Sequence, residues 1–227
     1  MFQFQKLPTF LKDSAIFIAD SPYSKQNETL YKLLLKIKNN EIKTSQIFLV
    51  GDIFHLLLPF DFLIKYNYKI ITLINELAKT KEIYLFEGNH DFCLKGIFNQ
   101  KVKILKEFHR DGVCINHGDI YTNDKIYKIY SKIIRKKVSL KILNYLSLNF
   151  VNNWLFKTIL NKKIKCIKIK NFQNLAEYKI SRYNCKIVIE GHYHQNMIYK
   201  NYINLPSLFC QNSFLQLQNN EFVEVFI

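Results

Sequence analysis

Four short polar segments carry the residue types that bind metal ions and phosphate groups. In chain order they are Gly51-Asp52, Gly88-Asn89-His90-Asp91, His117-Gly118-Asp119 and Gly191-His192-Tyr193-His194. Carboxylate, amide and imidazole groups together suit Mn²⁺, Fe²⁺ or Zn²⁺ better than Ca²⁺. A carboxylate bridges two such cations well, and Asp52 is the best candidate for that bridge. The segments therefore predict a pair of divalent metal ions.

Each polar segment follows a short apolar run that is rich in β-branched residues. These runs cover residues 47–50, 83–86, 113–115 and 187–189, and an earlier run, 16–18, ends close to Asp20. In open α/β sheets, sites form where the strands end. The sequence therefore predicts five strands whose ends bring oxygen and imidazole ligands into one pocket.

Helical patterns alternate with the first strands. Residues 27–39 carry leucines on one face, and residues 61–80 predict a second helix with Asp61 as its N-cap. The order strand, helix, strand, helix, strand favours a largely parallel sheet. Strands return from Cys185 onward, and a final hairpin is predicted from residues 214–217 and 222–227, joined at Asn219-Asn220.

The composition indicates one folded domain. The chain has 227 residues, 48% of them hydrophobic, which is enough for a substantial core. No apolar run reaches about 18 residues, and the first residues lack the apolar stretch of a signal peptide. The five cysteines show no Cys-x-x-Cys spacing. We therefore expect reduced cysteines in a cytosolic protein.

The positive charge is concentrated in one segment. The chain has a net charge of +15, and residues 121–170 contribute +12 of it, with Asp124 as their one acid. Residues 123–163 have helical spacing without Gly or Pro, and their isoleucines and lysines fall on adjacent sides. This pattern predicts a basic amphipathic helical insertion that contacts an anionic partner.

Two further polar positions have ordinary structural explanations. Residues 107–111 are polar and predict a solvated turn, in which His109 is a surface residue. Asp119 either caps a turn or bonds to a metal-binding histidine.

The ordered segments resemble those of the calcineurin-like metallophosphoesterases. That family carries Asp-x-His, Gly-Asp-x-x-(Asp/Glu), Gly-Asn-His-(Asp/Glu), a later His-Gly and Gly-His-x-His, and this chain matches the blocks in order from Asp20 to His194. The resemblance implies an α/β fold: a metallophosphoesterase-type β-sandwich core flanked by helices. It also implies two divalent metal ions, with Mn²⁺ preferred and Fe²⁺ or Zn²⁺ as alternatives.

The resemblance assigns roles to individual positions. It implies that the first metal is held by Asp20, Asp52 and His194, and that the second is held by Asp52, Asn89, His117 and His192. It implies that His90 stabilises charge on the phosphoryl group or protonates the leaving oxygen, with Asp91 orienting its imidazole.

One position departs from the family pattern. The histidine of the first block falls on Pro22, which has no donor atom. The first metal then keeps three protein ligands, or His55 acts as a substitute ligand, or the first site binds weakly.

Within the superfamily, the chain is similar to the UDP-2,3-diacylglucosamine pyrophosphohydrolases of lipid A synthesis. The shared features are Gly-Asp-x-Phe at residues 51–54, Asn-x-Asp-Phe at 89–92 and a Thr-x-Asp-x-x-Tyr pattern. The similarity implies a single domain over residues 1–227 with a helical lid insertion at about 121–182. It implies substrate contacts from Thr122, Asp124, Tyr127 and one or more of Lys162, Lys163 and Lys168.

This similarity also implies the partners. The substrate would be an acylated nucleotide sugar, hydrolysed to lipid X and UMP, and the enzyme would sit peripherally on the cytoplasmic face of the inner membrane. A basic amphipathic helix suits an anionic membrane surface, where each Lys or Arg is worth about 1 kcal/mol. No nucleic acid partner is expected. The alternatives are a nuclease or nucleotide phosphodiesterase on the same metal site, and an inactive binding module, which Pro22 would favour.

Overall fold

A computed structural model describes residues 8–122, 124–146, 158 and 164–227, with residues 137, 143, 144 and 146 described by their backbone alone. The described residues form two β-sheets and several helices. The helices are α1 (Thr29–Lys38), α2 (Asp61–Tyr66), α3 (Tyr68–Leu77), α4 (Lys125–Ile134), α5 (Lys137–Leu146), α6 (Phe172–Ile180) and α7 (Leu208–Gln211).

The first sheet has six strands in the order β11-β10-β1-β2-β3-β4. They are β1 (Ile16–Ile18), β2 (Gln46–Val50), β3 (Glu82–Phe86), β4 (Val102–Leu105), β10 (Ser213–Gln218) and β11 (Glu221–Phe226). Strands β1 to β4 are parallel, as predicted. The final hairpin is confirmed, because Asn219 and Asn220 take φ values of 51° and 66° between β10 and β11, as a tight two-residue turn requires.

The second sheet has five strands in the order β5-β6-β7-β9-β8. They are β5 (Glu107–Arg110), β6 (Val113–Asn116), β7 (Ile187–Glu190), β8 (Met197–Tyr199) and β9 (Tyr202–Asn204). The solvated turn predicted for residues 107–111 is wrong, since four of its residues form the edge strand β5. The reversal follows at Asp111 and Gly112, whose φ values are both positive.

Strand alternation explains how the two sheets pack. In β2, Ile47 and Leu49 face the helices α1 and α3, whereas Phe48 and Val50 face the second sheet. Because side chains alternate between the two faces of a strand, these fully apolar strands bury both faces. The α/β sandwich with flanking helices is thereby confirmed.

The predicted helix at residues 61–80 is two helices that meet at Asn67. The buried Asn67 side chain donates from Nδ2 to the carbonyl oxygens of Leu63 and Leu56 at 2.9 and 3.1 Å. This amide satisfies a carbonyl group at the end of α2, and a new helix, α3, begins at Tyr68. Asp61 is not the N-cap, which is Phe60, but lies in the first turn, where a carboxylate also favours the helix.

The predicted insertion contains two kinds of helix. Helix α6 packs on the outer face of the second sheet through Phe172 and Ala176, so it is part of the core. Helix α4 has no buried residue. The continuation of the helical pattern over residues 147–157 and 159–163 lies outside the described residues. Among the described residues, none of the helices is long and apolar enough to cross a bilayer.

Four of the five cysteines are paired. Disulfides join Cys114 to Cys185 and Cys166 to Cys210, with Cα–Cα separations of 6.0 and 5.6 Å. The expectation of reduced cysteines is therefore wrong for this structure. The pairing joins residues 71 and 44 positions apart, which cysteine spacing does not reveal.

Candidate metal centre

The predicted ligands lie at the carboxyl ends of strands from both sheets. Asp20 follows β1, Asp52 follows β2 and Asn89 follows β3, while His117 follows β6 and His192 follows β7. Each lies within three residues of its strand, so the parallel strands deliver all five side chains to one edge of the sandwich.

The backbone at this edge is strained. Asp20, Asp52, His192 and His194 have φ values of 49°, 48°, 67° and 56°, in the left-handed region that disfavours residues with a Cβ. Such conformations cost on the order of 1–3 kcal/mol each and persist where the surrounding structure enforces them. Four of them among the predicted ligands are typical of a functional site.

Three side chains converge on one ring nitrogen of His117. Its Nε2 lies 3.2 Å from Asn89 Oδ1, 3.2 Å from His192 Nδ1 and 3.4 Å from Asp52 Oδ2. The ligand atoms of Asp52, His117 and His192 all lie within 4.8 Å of one another. The structure therefore brings together the residues predicted for the second metal.

The other ring nitrogen fixes the orientation of His117. Its Nδ1 lies 3.1 Å from the carbonyl oxygen of Val50, which can only accept, so Nδ1 carries the proton and Nε2 faces the cluster. Metal-binding histidines are commonly oriented by such a bond. Burial by itself lowers the pKa of His117, but the Asp52 carboxylate outweighs it and raises that pKa well above its ordinary value. Burial, together with His117, lowers the pKa of His192 to about 4. The ring is therefore neutral, which is the form that binds a metal ion.

The two carboxylates of the site are held in the same way. One oxygen of Asp52 accepts from the backbone N–H of His90, and one oxygen of Asp20 accepts from the backbone N–H of His192, both at 2.8 Å. The second oxygen of Asp20 lies 3.2 Å from Nε2 of His194. That oxygen, Oδ1, is buried and receives no hydrogen bond of good geometry. A buried anionic oxygen that lacks a well-formed hydrogen bond is costly and fits a site that holds a cation.

Two glycines are required by close approach to these ligands. A Cβ on Gly51 would lie 2.5 Å from the His117 ring, and one on Gly88 would lie 2.3 Å from Asp52 Oδ1. Both contacts are too short for real atoms. The glycines of the Gly-Asp and Gly-Asn-His-Asp segments are therefore needed for the ligands to pack this closely.

A cavity of about 280 Å³ opens beside these residues. Its lining includes residues predicted for the first metal and the reaction: Asp20, Asp52, His90 and His194, with Pro22, His55 and Lys165. Pro22 thus lies at the first-metal side of the cavity, and His55 lines the same space. The substitute-ligand role of His55 stays a prediction. Lys165 was not singled out in the sequence, because nothing distinguishes it from its neighbouring lysines.

Asp91 does not orient the imidazole of His90. Its two oxygens accept from the backbone N–H groups of Asp52, Ile53, Phe54 and Gly88 at 2.7 to 3.1 Å. The His90 ring instead uses Nδ1 to donate to the carbonyl oxygen of His55 at 3.0 Å. Asp91 therefore joins the loop after β2 to the loop after β3, and so aligns Asp52 with Asn89.

The predicted substrate-binding residues make contacts within the protein. Asp124 is the N-cap of α4, because its Oδ1 accepts from the N–H groups of Ile126 and Tyr127. Thr122 accepts from the N–H of Asp124 at 3.2 Å. Lys168 is exposed, and Lys162 and Lys163 lie outside the described residues. Substrate contact for these side chains stays a prediction.

Asp119 and Arg135 join α4 to the metal-binding loops. Arg135 donates from Nη2 to Asp119 Oδ2 and to the carbonyl oxygen of Gly88, each at 2.8 Å. The hydroxyl of Tyr127 donates to the same Asp119 oxygen at 2.9 Å. Burial and the Asp119 carboxylate raise the pKa of this tyrosine, so it stays protonated as a donor. The sequence contained no signal for Arg135, which ends a helix of repeated lysines.

Replacing Arg135 with glutamine should weaken the site without unfolding the protein. The change removes the link between the loop of Asn89 and the loop of His117, and outer-shell partners of metal ligands typically contribute 10–100-fold to affinity or activity. We expect a loss of about that size in phosphodiesterase kcat/KM with Mn²⁺. The exposed Arg182 provides a matched control, and equal effects of the two substitutions would contradict a positioning role for Arg135.

A buried ion pair lies behind the histidine loops. Lys179 in α6 lies 3.2 Å from Glu190 Oε2, and both side chains are fully buried. Lys179 also donates to the carbonyl oxygen of Gly118, next to His117. Glu190, which precedes Gly191 and His192, further accepts from the hydroxyls of Tyr183 and Tyr202. The pair thus fixes both histidine loops from the core side.

Comparison with known proteins gives concordant matches. A family model described as calcineurin-like phosphoesterase matches residues 15–196. The chain is similar to proteins named UDP-2,3-diacylglucosamine hydrolase from Wigglesworthia glossinidia brevipalpis, at 24% identity over 82% of this chain and 81% of the relative, and from Blochmanniella pennsylvanica, at 24% over 86% and 85%. A protein of that name from Coxiella burnetii is 24% identical over 83% of this chain and 84% of the relative.

Among solved structures, the chain is similar to a mutant cold-active protein tyrosine phosphatase. The TM-score is 0.47 at 15% identity, over 96% of this chain and 80% of that one. A likeness of this extent carries no argument about function.

Proposed function

The chain belongs to the calcineurin-like phosphoesterase family, and from that premise we propose that it hydrolyses the pyrophosphate of UDP-2,3-diacylglucosamine to 2,3-diacylglucosamine 1-phosphate (lipid X) and UMP. The chain is a metal-dependent phosphoesterase. The finer assignment is supported by the shared name of relatives that align over more than four-fifths of the chain. The observation that carries it is a ligand cluster that adjoins an exposed helix with apolar and basic side chains.

Two divalent cations fit the donor set. Asp20, Asp52 and His194 would hold one, and Asp52, Asn89, His117 and His192 would hold the other, with Mn²⁺ the preferred ion. When bound, such ions neutralise charge on phosphoryl oxygens and lower the pKa of a water nucleophile. The protein itself orients these ligands. The Val50 carbonyl orients His117, Asp91 aligns the loops of Asp52 and Asn89, and backbone N–H groups hold the carboxylates of Asp20 and Asp52.

His90 and Lys165 are further cavity-lining side chains that can contact a phosphate group. Because Nδ1 of His90 donates to the His55 carbonyl, Nε2 is the nitrogen available to the substrate. A proton held there stabilises the developing charge or passes to the leaving oxygen. Lys165 lies on the cavity wall, where its ammonium group would contact a phosphate of the anionic substrate.

Helix α4 supplies a surface for the lipid. Its side chains of Ile126, Ile129, Tyr130 and Ile133 are 81%, 62%, 58% and 53% exposed. Lysines 125, 128 and 132 lie on the same helix and are exposed or partly exposed. A helix with these two faces binds an anionic membrane surface without spanning it. We propose that the enzyme docks on the cytoplasmic face of the inner membrane, with α4 as part of a lid.

Substituting Ile129 with glutamate should lower activity on the lipid alone. Burying an isoleucine is worth about 1.5–3 kcal/mol, so partial insertion predicts about a tenfold loss of kcat/KM on vesicle-bound substrate. Activity on a soluble aryl phosphodiester should be unchanged. Tyr68 is 66% exposed on α3 and provides the control, as Tyr68→Glu. A loss of equal size on both substrates would argue against membrane docking by α4.

A comparison of two substrates tests the proposed function. With Mn²⁺, we expect the protein to hydrolyse UDP-2,3-diacylglucosamine in mixed micelles far faster than a generic aryl phosphodiester. High activity on the generic ester alone, with salt-dependent binding to DNA tighter than to anionic vesicles, would favour a nuclease. Less than about one metal ion per chain and no phosphodiesterase activity would favour an inactive binding module.

A further inference from the structure

A second group of metal-ligating side chains lies at the other end of the second sheet. His109, Cys114 and Cys185 place one nitrogen and two sulfur atoms within 4.8 Å of one another. Cys114 is near the start of β6, and Cys185 precedes β7 by two residues. These are the amino-terminal ends of the strands whose carboxyl ends carry His117 and His192. The cluster is therefore separate from the candidate metal centre.

Strand register brings the first two residues together. His109 and Cys114 are directly opposite each other in the antiparallel pair of β5 and β6, so their side chains share one face. That face carries Cys114 into the small core beneath α6, where Cys185 also packs. Strand pairing and packing thus bring the three side chains together, although no recognisable sequence motif links them.

The orientation of His109 is that of a metal ligand. Its Nδ1 lies 3.3 Å from the Cys114 sulfur, close to the separation of about 3.5 Å between nitrogen and sulfur ligands of tetrahedral Zn²⁺. Its Nε2 lies 3.3 Å from the carboxylate of Glu107, two residues earlier on the same strand. Zinc-binding histidines characteristically donate their second N–H to a carboxylate, which fixes the ring.

We propose that the reduced protein binds one Zn²⁺ ion through His109 Nδ1 and the thiolates of Cys114 and Cys185, with a water molecule as the fourth ligand. Two thiolates and an imidazole are a zinc-selective donor set, unlike the carboxylate-rich centre at the strand ends. The ion would attach the edge strand β5 to the start of β7.

The disulfide and the zinc site are alternative states of the same sulfur atoms. A dithiol reductant supplies two electrons and two protons to the Cys114–Cys185 bond, giving two thiols and an oxidised cyclic disulfide. Zinc binding then releases the two thiol protons. Zinc occupancy therefore depends on the reducing conditions, and the oxidised protein cannot bind the ion here.

Cobalt titration of the full-length protein tests this proposal. After reduction with a dithiol and anaerobic removal of the reductant, Co²⁺ should produce a sulfur-to-cobalt charge-transfer band that Zn²⁺ abolishes. The Cys185→Ser variant should lose the band, and Cys93→Ser, which changes a cysteine outside both disulfides, should keep it. Oxidised protein should show no band.

A second variant does not touch the core. Glu107→Gln changes an exposed side chain. It should lower the affinity of the site for Co²⁺, measured from the charge-transfer band, by about 10–100-fold, because the histidine loses its orienting carboxylate. No band in the reduced wild-type protein, or an unchanged band in Cys185→Ser, would overturn the zinc site. An unchanged affinity in Glu107→Gln would remove the proposed orienting role.

Discussion

Replacing Asn89 with alanine is expected to lower phosphodiesterase turnover by at least about 10³-fold while the protein stays folded. The metal ions contribute several kcal/mol of charge stabilisation, and each 1.36 kcal/mol is a factor of ten in rate. Asn89 Oδ1 lies 3.2 Å from His117 Nε2, so the substitution removes one predicted ligand of the second metal. Its side chain is partly exposed at the end of a strand, so little packing is lost.

The measurement is kcat with saturating Mn²⁺, together with calorimetric titration of Mn²⁺. The exposed Asn174 in α6 is a matched control, since Asn174→Ala makes the same chemical change outside the site. Asn89→Ala should lose one class of Mn²⁺ site, and the control should lose none. Near-normal turnover of Asn89→Ala would exclude this residue from the metal centre.

Replacing Lys179 with methionine is expected to lower the free energy of unfolding by about 3–5 kcal/mol, which is the usual result of leaving one partner of a buried ion pair alone. The pair is fully buried, and the change leaves the Glu190 carboxylate without its cation. For a chain of this size, the corresponding fall in Tm is about 6–20 °C. Denaturant unfolding with Mn²⁺ removed measures the effect on the apo protein.

Two comparisons test the cause of this loss. Lys200 forms an exposed pair with Glu177 at 2.8 Å, and Lys200→Met should change stability far less than Lys179→Met, because water screens an exposed ion pair. Adding Glu190→Gln to Lys179→Met should restore part of the stability, because the unpaired charge is gone. A loss for Lys179→Met no larger than that for Lys200→Met would contradict the importance of the buried pair.

The ends of the strands were predictable because local sequence determines them. Residues 47–50 and 83–86 are continuous apolar runs, and each is followed at once by Gly or by a polar segment that cannot extend a buried strand. The Asn219-Asn220 turn was predictable for a similar reason, since asparagine tolerates positive φ. The predicted metal ligands that follow such strands therefore lie close together in the structure.

Residues whose roles depend on distant contacts were not predictable. Asn67 ends a helix through a bond to Leu56, and Asp91 binds backbone N–H groups almost 40 positions away. Lys179 looked like one of many lysines, although it is the one buried against Glu190. In each case the tertiary partner, which has no local sequence signal, decides the role.

The most direct test of the account is anomalous diffraction at the manganese edge from crystals of the protein grown with Mn²⁺. The account predicts two anomalous peaks that share Asp52, one also bound by Asp20 and His194 and the other by Asn89, His117 and His192. A single peak, or no peak within bonding distance of these side chains, would contradict the dinuclear centre.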